Sequence, residues 1–301
     1  MRDIFSEGLL YLDLLEIYGS SYFVADLCSV AQSNVFRGAQ SCSKLLNLDF
    51  KKDRELGEYK IHRNHDVQRD LRKLNQKLRA RENGQLRIVS HLKSSFNFSS
   101  REIDGLSISL PCEWEDHEKS LRYLEQGIID IVLLSSMNAS KYFNWPPPVR
   151  RTDLFVPVAP YIVAEVTSLP LCLFMLKGNN SAEQINQSNF LSYEWLLSPS
   201  IDIDFMRLKF LDAKLTLLTP PIYSSGNFLS LMLANEKLLL LASSIDSDMF
   251  AYDTVIAFDL QKINNNLAFH EHILLVSMPS LLREPLHQRL VDLIKQQGQL
   301  G

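Results

Sequence analysis

The reading of the fold turns on the stretch Gly19-Ser20-Ser21-Tyr22-Phe23-Val24-Ala25-Asp26-Leu27-Cys28-Ser29-Val30-Ala31-Gln32-Ser33-Asn34-Val35-Phe36-Arg37. Before it, Leu9, Leu12, Leu14, Leu15 and Ile17 stand close to helical spacing over residues 8 to 17, and Gly19 ends that run as a C-cap. Residues 22 to 28 predict a second short helix with Phe23, Val24 and Leu27 inward. A third starts near Gln32 and runs to Leu46, with Val35, Ala39, Cys42, Leu45 and Leu46 on one face. Three short helices with tight turns make a small helical domain. Phe50 to Ile61, with Gly57 at its centre, then reads as a two-stranded hairpin.

Beyond the hairpin the character changes. Over residues 63 to 82, Val67, Leu71, Leu74 and Leu78 recur at intervals of four, three and four among charged and amide residues. So narrow an apolar seam suits pairing with a second helix rather than packing on a broad core. Asn83-Gly84 closes the segment. From Leu86 the pattern alternates. Leu86–Val89, Leu106–Leu110 and Ile128–Leu134 have strand length, and between the last two Trp114–Gln126 reads as a helix with Leu121 and Leu124 buried. That βαβ order implies a parallel sheet. Residues 144 to 153 form a stiff, proline-rich loop, and further strands fall near Leu154–Val158, Leu171–Leu176 and Leu238–Leu241. Pro285 to Gln296 closes the chain as an amphipathic helix with Leu286, Leu290, Leu293 and Ile294 inward.

At 301 residues, 46% hydrophobic and 22% charged, the chain has the balance of a globular protein of two or three compact units. Four scattered cysteines without a C-x-x-C pair read as small apolar residues in a reducing compartment. The start of the chain lacks signal-peptide architecture and the apolar runs are too short for a bilayer, so a cytoplasmic protein with no membrane partner is expected. Charge is segregated. Lys51 to Arg81 holds eleven basic residues against five acidic ones, a local excess of +6 in a chain of net charge -4. A uniformly basic nucleic-acid binder is excluded, whereas a local basic patch is present.

These residues resemble the LysR-type transcription regulators. In that family a Gly-Ser precedes the second helix, like Gly19-Ser20, and the recognition helix opens with Ser-Gln-x-x-Val-Ser-Arg, matched by Ala31-Gln32-Ser33-Asn34-Val35-Phe36-Arg37 at the same offset. Ala39, Cys42, Leu46, Leu48 and Phe50 continue the match without a gap, while Ala31, Phe36, Ser43 and Asn47 depart from the usual residues. The basic helix, Gly84-Gln85-Leu86-Arg87-Ile88, and Leu124-x-x-Gly127-x-x-Asp130-Ile131 also fall in family order. The resemblance implies an α/β protein. A winged helix-turn-helix would occupy residues 1–62 and a dimerising linker helix 63–84. A two-lobed, periplasmic-binding-protein-like effector domain would occupy 85–301, with lobe I about 85–158 and 268–301 and lobe II about 159–267.

The chemistry of the residues agrees with DNA as partner. Gln32, Ser33 and Asn34 open the helix that enters the major groove in such folds. Gln and Asn can bond adenine in bidentate fashion, Arg37 can reach a guanine edge or a phosphate, and Phe36 can lie against a thymine methyl. Lys44, Lys51, Lys52, Arg54 and Lys60 are suited to phosphate. Val67, Leu71, Leu74 and Leu78 are the dimerisation seam, of a homodimer or homotetramer. A small-molecule effector is implied by the two-lobed fold, with Ser90, Ser94, Ser95, Ser135, Ser136, Tyr161 and Ser225 as cleft residues.

Enzymatic readings are poor. His62 and His65, or His270 and His272 around Glu271, lack a third metal ligand, and neither a nucleophile elbow nor a glycine-rich phosphate loop is present. Glu113, Glu115, Asp116 and Glu118 sit where the positive end of a helix dipole explains them. No catalytic residue, metal or cofactor is expected. The expectation is therefore a sequence-specific transcription regulator. The alternative is a two-lobed small-molecule binding protein whose N-terminal helices serve oligomerisation.

Overall fold

The computed structural model describes residues 6–53, 59–81, 84–91, 106–111, 117–136, 156–176, 193–197, 214–217, 238–243, 255–259 and 270–298. Helices α1 (Ser6–Tyr18), α2 (Ser21–Leu27) and α3 (Gln32–Leu45) come first. Gly19, at φ 64, turns the chain in the left-handed region, where its N–H donates to the Leu15 carbonyl at 2.9 Å and closes α1. Ser20 is extended and its Oγ accepts from the Phe23 N–H at 3.3 Å, capping α2. The Gln32 amide donates to Ser21 Oγ at 2.9 Å and ties the start of α3 to α2. Leu12, Leu15, Val24, Val35, Ala39 and Cys42 form the buried centre of this unit. Phe23 and Leu45, expected inward, are instead 41% and 56% exposed. Three helices this short enclose a core too small for every apolar side chain.

Strands β1 (Phe50–Lys52) and β2 (Tyr59–Ile61) pair antiparallel, with Phe50 opposite Ile61 and Lys52 opposite Tyr59. The stacked Phe50 and Tyr59 rings, 5.1 Å apart, hold the hairpin together. Helix α4 (His65–Arg79) follows. Its burial is inverted: Gln68, Arg72 and Gln76 are enclosed, while Val67, Leu74 and Leu78 face outward.

The rest is an α/β body around one branched sheet. Its described strands are β3 (Leu86–Ser90), β4 (Ser107–Leu110), β5 (Ile131–Ser135), β6 (Val156–Val158), β7 (Tyr161–Leu176), β8 (Glu194–Leu197), β9 (Lys214–Leu217), β10 (Leu238–Ser243), β11 (Val255–Asp259) and β12 (His270–Ser277). The order is β4-β3-β5-β12-β7-β10-β8-β9, with β6 and β11 also pairing with β7. At one end β4, β3 and β5 run parallel; at the other, β10, β8 and β9 do so. Antiparallel β7 and β12 join the two. The sixteen residues of β7 make this possible: residues 162–170 pair with β12, and 171–176 pair with β10 and β11. Only the second half of β7 is marked by an apolar run, because Glu165, Thr167, Ser168 and Pro170 interrupt the first.

Side-chain alternation assigns the two faces of the first half-sheet. Ile131 and Leu133 of β5 pack with Leu286, Leu290 and Ile294 of α6 (Pro285–Gly298). Val132 and Leu134, one residue out of step, join the cluster that also contains the N-terminal helices and Leu121 and Leu124 of α5 (His117–Glu125). One continuous apolar cluster therefore runs from α1 into the sheet.

Candidate functional site

The outward face of α3 is built by helical spacing. With Val35, Ala39 and Cys42 turned into the core, Ser33, Phe36, Arg37 and Lys44 are left on the opposite side, all exposed. Phe36 is 43% exposed, an aromatic ring held in solvent among polar neighbours. The Arg37 guanidinium folds along its own helix, donating to Asn34 Oδ1 at 3.0 Å and to the Ser33 carbonyl at 3.1 Å. Gln32 is partly withdrawn by its bond to Ser21. On the hairpin, Lys51 pairs with Asp49 at 2.9 Å, Lys52 lies 5.4 Å from the Tyr59 ring centroid, and Lys60 approaches Asp53 at 4.0 Å. The Lys51 hydrogen bond holds the Asp49 carboxyl below its usual range. These exposed pairs are weak, and the ammonium groups can exchange their partners for phosphate at little cost. Arg54 lies outside the described residues.

The apolar stripe of α4 and its buried polar face have one cause. Asp13, fully enclosed in α1, accepts from Arg72 of α4 at 2.8 Å and from Arg87 of β3 at 2.7 Å. Arg72 also donates to Glu16 at 2.8 Å, and Gln76 to the Ile129 carbonyl at 2.9 Å. Arg79 reaches both oxygens of Asp130, at 2.7 and 2.8 Å, and the Gly127 carbonyl at 2.9 Å. Asp130 in turn accepts from the Arg87 backbone N–H at 2.8 Å. Burial works against each guanidinium. For Arg72 and Arg79 the facing carboxylates outweigh it and the pKa is raised, whereas Arg87, enclosed beside Arg79, is lowered. With its polar side committed inward, α4 presents Val67, Leu74 and Leu78 to solvent, and Leu71 sits half-buried at the edge of that stripe.

The serines proposed for a cleft divide. Ser90, Ser135 and Ser136 gather at the carboxyl edge of the parallel strands β3 and β5. Ser136 Oγ accepts from the His272 N–H at 3.0 Å, and His272 Nδ1 lies 3.0 Å from Glu165 Oε1. Tyr161 is not part of this group. It stands at the opposite edge, beside Val158, and its hydroxyl donates to Glu125 of α5. Burial and the Glu125 carboxylate hold its phenol above the ordinary range. Ser94, Ser95 and Ser225 lie outside the described residues. Among the described residues no cluster of His, Cys, Asp and Glu could hold a metal ion, and no helix is long and apolar enough to cross a membrane.

Sequence reasoning missed the Asp13–Arg87–Asp130 network. The signal was faint: Asp13 interrupts an apolar run, and Gln68, Arg72, Gln76 and Arg79 recur at helical intervals. Nothing local names their partners.

No family model matches the chain and no curated relative matches it. Solved structures do. A full-length OxyR variant from Pseudomonas aeruginosa superposes with a TM-score of 0.56 at 11% identity, over 96% of this chain and 94% of that one. The probable transcriptional regulator PA0477 from Pseudomonas aeruginosa gives 0.57 at 12%, over 96% and 95%. An OxyR variant from Corynebacterium glutamicum gives 0.53 at 12%, over 100% and 94%. The chain has the fold of the LysR-type regulators. The LysR-type likeness runs through the N-terminal helices, α4 and the α/β body, since it covers nearly the whole length of both chains.

Proposed function

We propose that this chain is a LysR-type, sequence-specific DNA-binding transcription regulator and not an enzyme. In this reading residues 1–62 are a winged helix-turn-helix, 63–84 the linker helix, and 85–301 a two-lobed effector-binding domain of a cytoplasmic dimer or tetramer. The observation that carries it is the outward stripe Ser33, Phe36, Arg37 and Lys44 on α3, flanked by the lysines of the hairpin. A groove-reading helix needs polar and cationic side chains free on one face, supported by a core on the other. The exposed seam on α4 supports a paired state in which two such faces reach half-sites about one helical turn or more apart. The carboxyl edge with Ser90, Ser135 and Ser136 is the place for a small-molecule effector, which would shift the arrangement of the paired units.

The test is footprinting and fluorescence anisotropy with DNA from upstream of the protein's own gene, at moderate salt. Protection of two half-sites is expected. Arg37→Ala should weaken specific binding by about 10- to 100-fold, the range of a lost base contact, while the fold is unchanged. Absence of specific protection, or equal affinity for unrelated DNA, overturns the reading.

A further inference from the structure

The polar side chains that open α3 are engaged within the N-terminal unit. Gln32 donates to Ser21, and Asn34 Oδ1 accepts from Arg37, whose guanidinium also bonds the Ser33 carbonyl. Phe36 stands apart. It lies at the second turn of the helix, 43% exposed, outside the apolar cluster that encloses Val35 and Ala39. Among the described residues no aromatic ring packs on it. Ser33 and Gln40, three residues before it and four after, share its face and are exposed with it. From Leu27 to Leu48 the sequence holds no Asp or Glu, whereas Arg37 and Lys44 are exposed on the outward side of the helix. The face is therefore cationic around one apolar ring.

We propose that Phe36 reads the 5-methyl group of a thymine in each half-site, an inference that rests on the DNA-binding function proposed above. The charge of the face selects a polyanion such as duplex DNA over an apolar protein surface. Of the four bases, only thymine carries an apolar group on its major-groove edge. A phenyl ring set against the N7, O6, N6 or N4 atoms of the other bases displaces their water and returns no hydrogen bond, which costs binding. Against the methyl group it removes apolar surface on both sides from water. The opposite side of α3 is anchored by buried Val35, Ala39 and Cys42, so the place of the ring is set before DNA arrives.

Duplexes enriched from a random pool by the full-length chain are resynthesised with deoxyuridine at one thymine at a time, which removes the methyl group and keeps the pairing with adenine. Fluorescence anisotropy at fixed salt reads the affinities. In each half-site one such replacement should weaken binding of the parent protein by about fourfold, the worth of one buried carbon. Phe36→Ser should bind the thymine and uracil duplexes alike at that position, with an unchanged slope against salt because no charge is lost. Equal affinity of the parent for every uracil duplex, or the same thymine preference in Phe36→Ser, overturns the proposal. So does altered sedimentation of Phe36→Ser, which would give the ring to a contact between chains. The uracil series needs only the parent protein and decides even should the variant not fold. If no sequence is enriched, the DNA-binding reading falls and this one with it; specific binding that is blind to the methyl group removes this one only.

Discussion

Asp13 of α1 accepts a 2.7 Å hydrogen bond from Arg87 of β3, seventy-four residues later in the chain, at a site where both side chains are almost wholly enclosed. Its other oxygen holds Arg72 of α4. One carboxylate thus binds the first helix, the fourth helix and the sheet into a single electrostatic unit. A buried carboxylate between two guanidiniums is stable only while all three remain, because each pays its desolvation through the others.

Asp13→Ala should therefore cost about 3–5 kcal/mol of folding stability, the usual penalty for leaving buried charge uncompensated. Joint replacement of Asp13 by Leu and Arg87 by Met should recover a large part of it, since Arg72 keeps Glu16. Urea denaturation of the three proteins checks this. A loss below about 1 kcal/mol for Asp13→Ala, the range of an exposed pair, would refute the role given to the network.

Gly127 stands where the body meets α4. At φ +75 it occupies the left-handed region, and a Cβ there would lie 3.1 Å from the Arg72 backbone carbonyl. Gly127→Ala should destabilise the fold by about 1–2 kcal/mol from backbone conformation alone, with crowding of α4 added. Thermal unfolding at constant protein concentration reads the effect, and an unchanged midpoint contradicts it.

Leu74 is 55% exposed on the outer stripe of α4. If that stripe pairs two chains, Leu74→Glu places two like charges in the seam and should yield monomers in sedimentation, with helical content preserved. Because the side chain is open to solvent in the single chain, loss of folding is not expected. A dimer that persists rules out this stripe as the contact.

His287 is enclosed in α6, its Nε2 sharing a 2.9 Å hydrogen bond with Ser277 Oγ. Burial lowers its pKa from 6.5 to about 4. The folded state resists the proton that the unfolded chain accepts. Stability from this group is therefore complete above about pH 6.5 and falls as the pH drops from there towards 4. The full effect is on the order of 3 kcal/mol. His287→Gln should flatten the decline in urea midpoint between pH 7 and pH 5. A variant with the same slope as the parent shows that another group is responsible.

Much of this was legible in the linear chain. The spacing of Leu12, Leu15, Val35 and Ala39 prescribes amphipathic helices, Gly19 and Ser20 mark the turn between the first two, and the runs at 86–89 and 238–241 are strands by length. The outward face of α3 follows directly from which of its residues are apolar. These are local matters: a period of 3.6 or of 2 and a capping side chain act within one turn or one pleat.

What escaped the chain depends on distant partners. The first half of β7 and all of β12 look polar at one end, and they become strands because each supplies the ladder that the other needs. Tyr161 leaves the cleft serines for Glu125 because antiparallel pairing carries the two ends of β7 to opposite edges. The narrow stripe of α4 was visible from residue 67 to 78, yet the reason it faces solvent was not. A sequence shows Arg72, Gln76 and Arg79 as a hydrophilic face; enclosure with Asp13 and Asp130 turns that face inward, since a buried charge must be met by charge and only folding brings those carboxylates within reach.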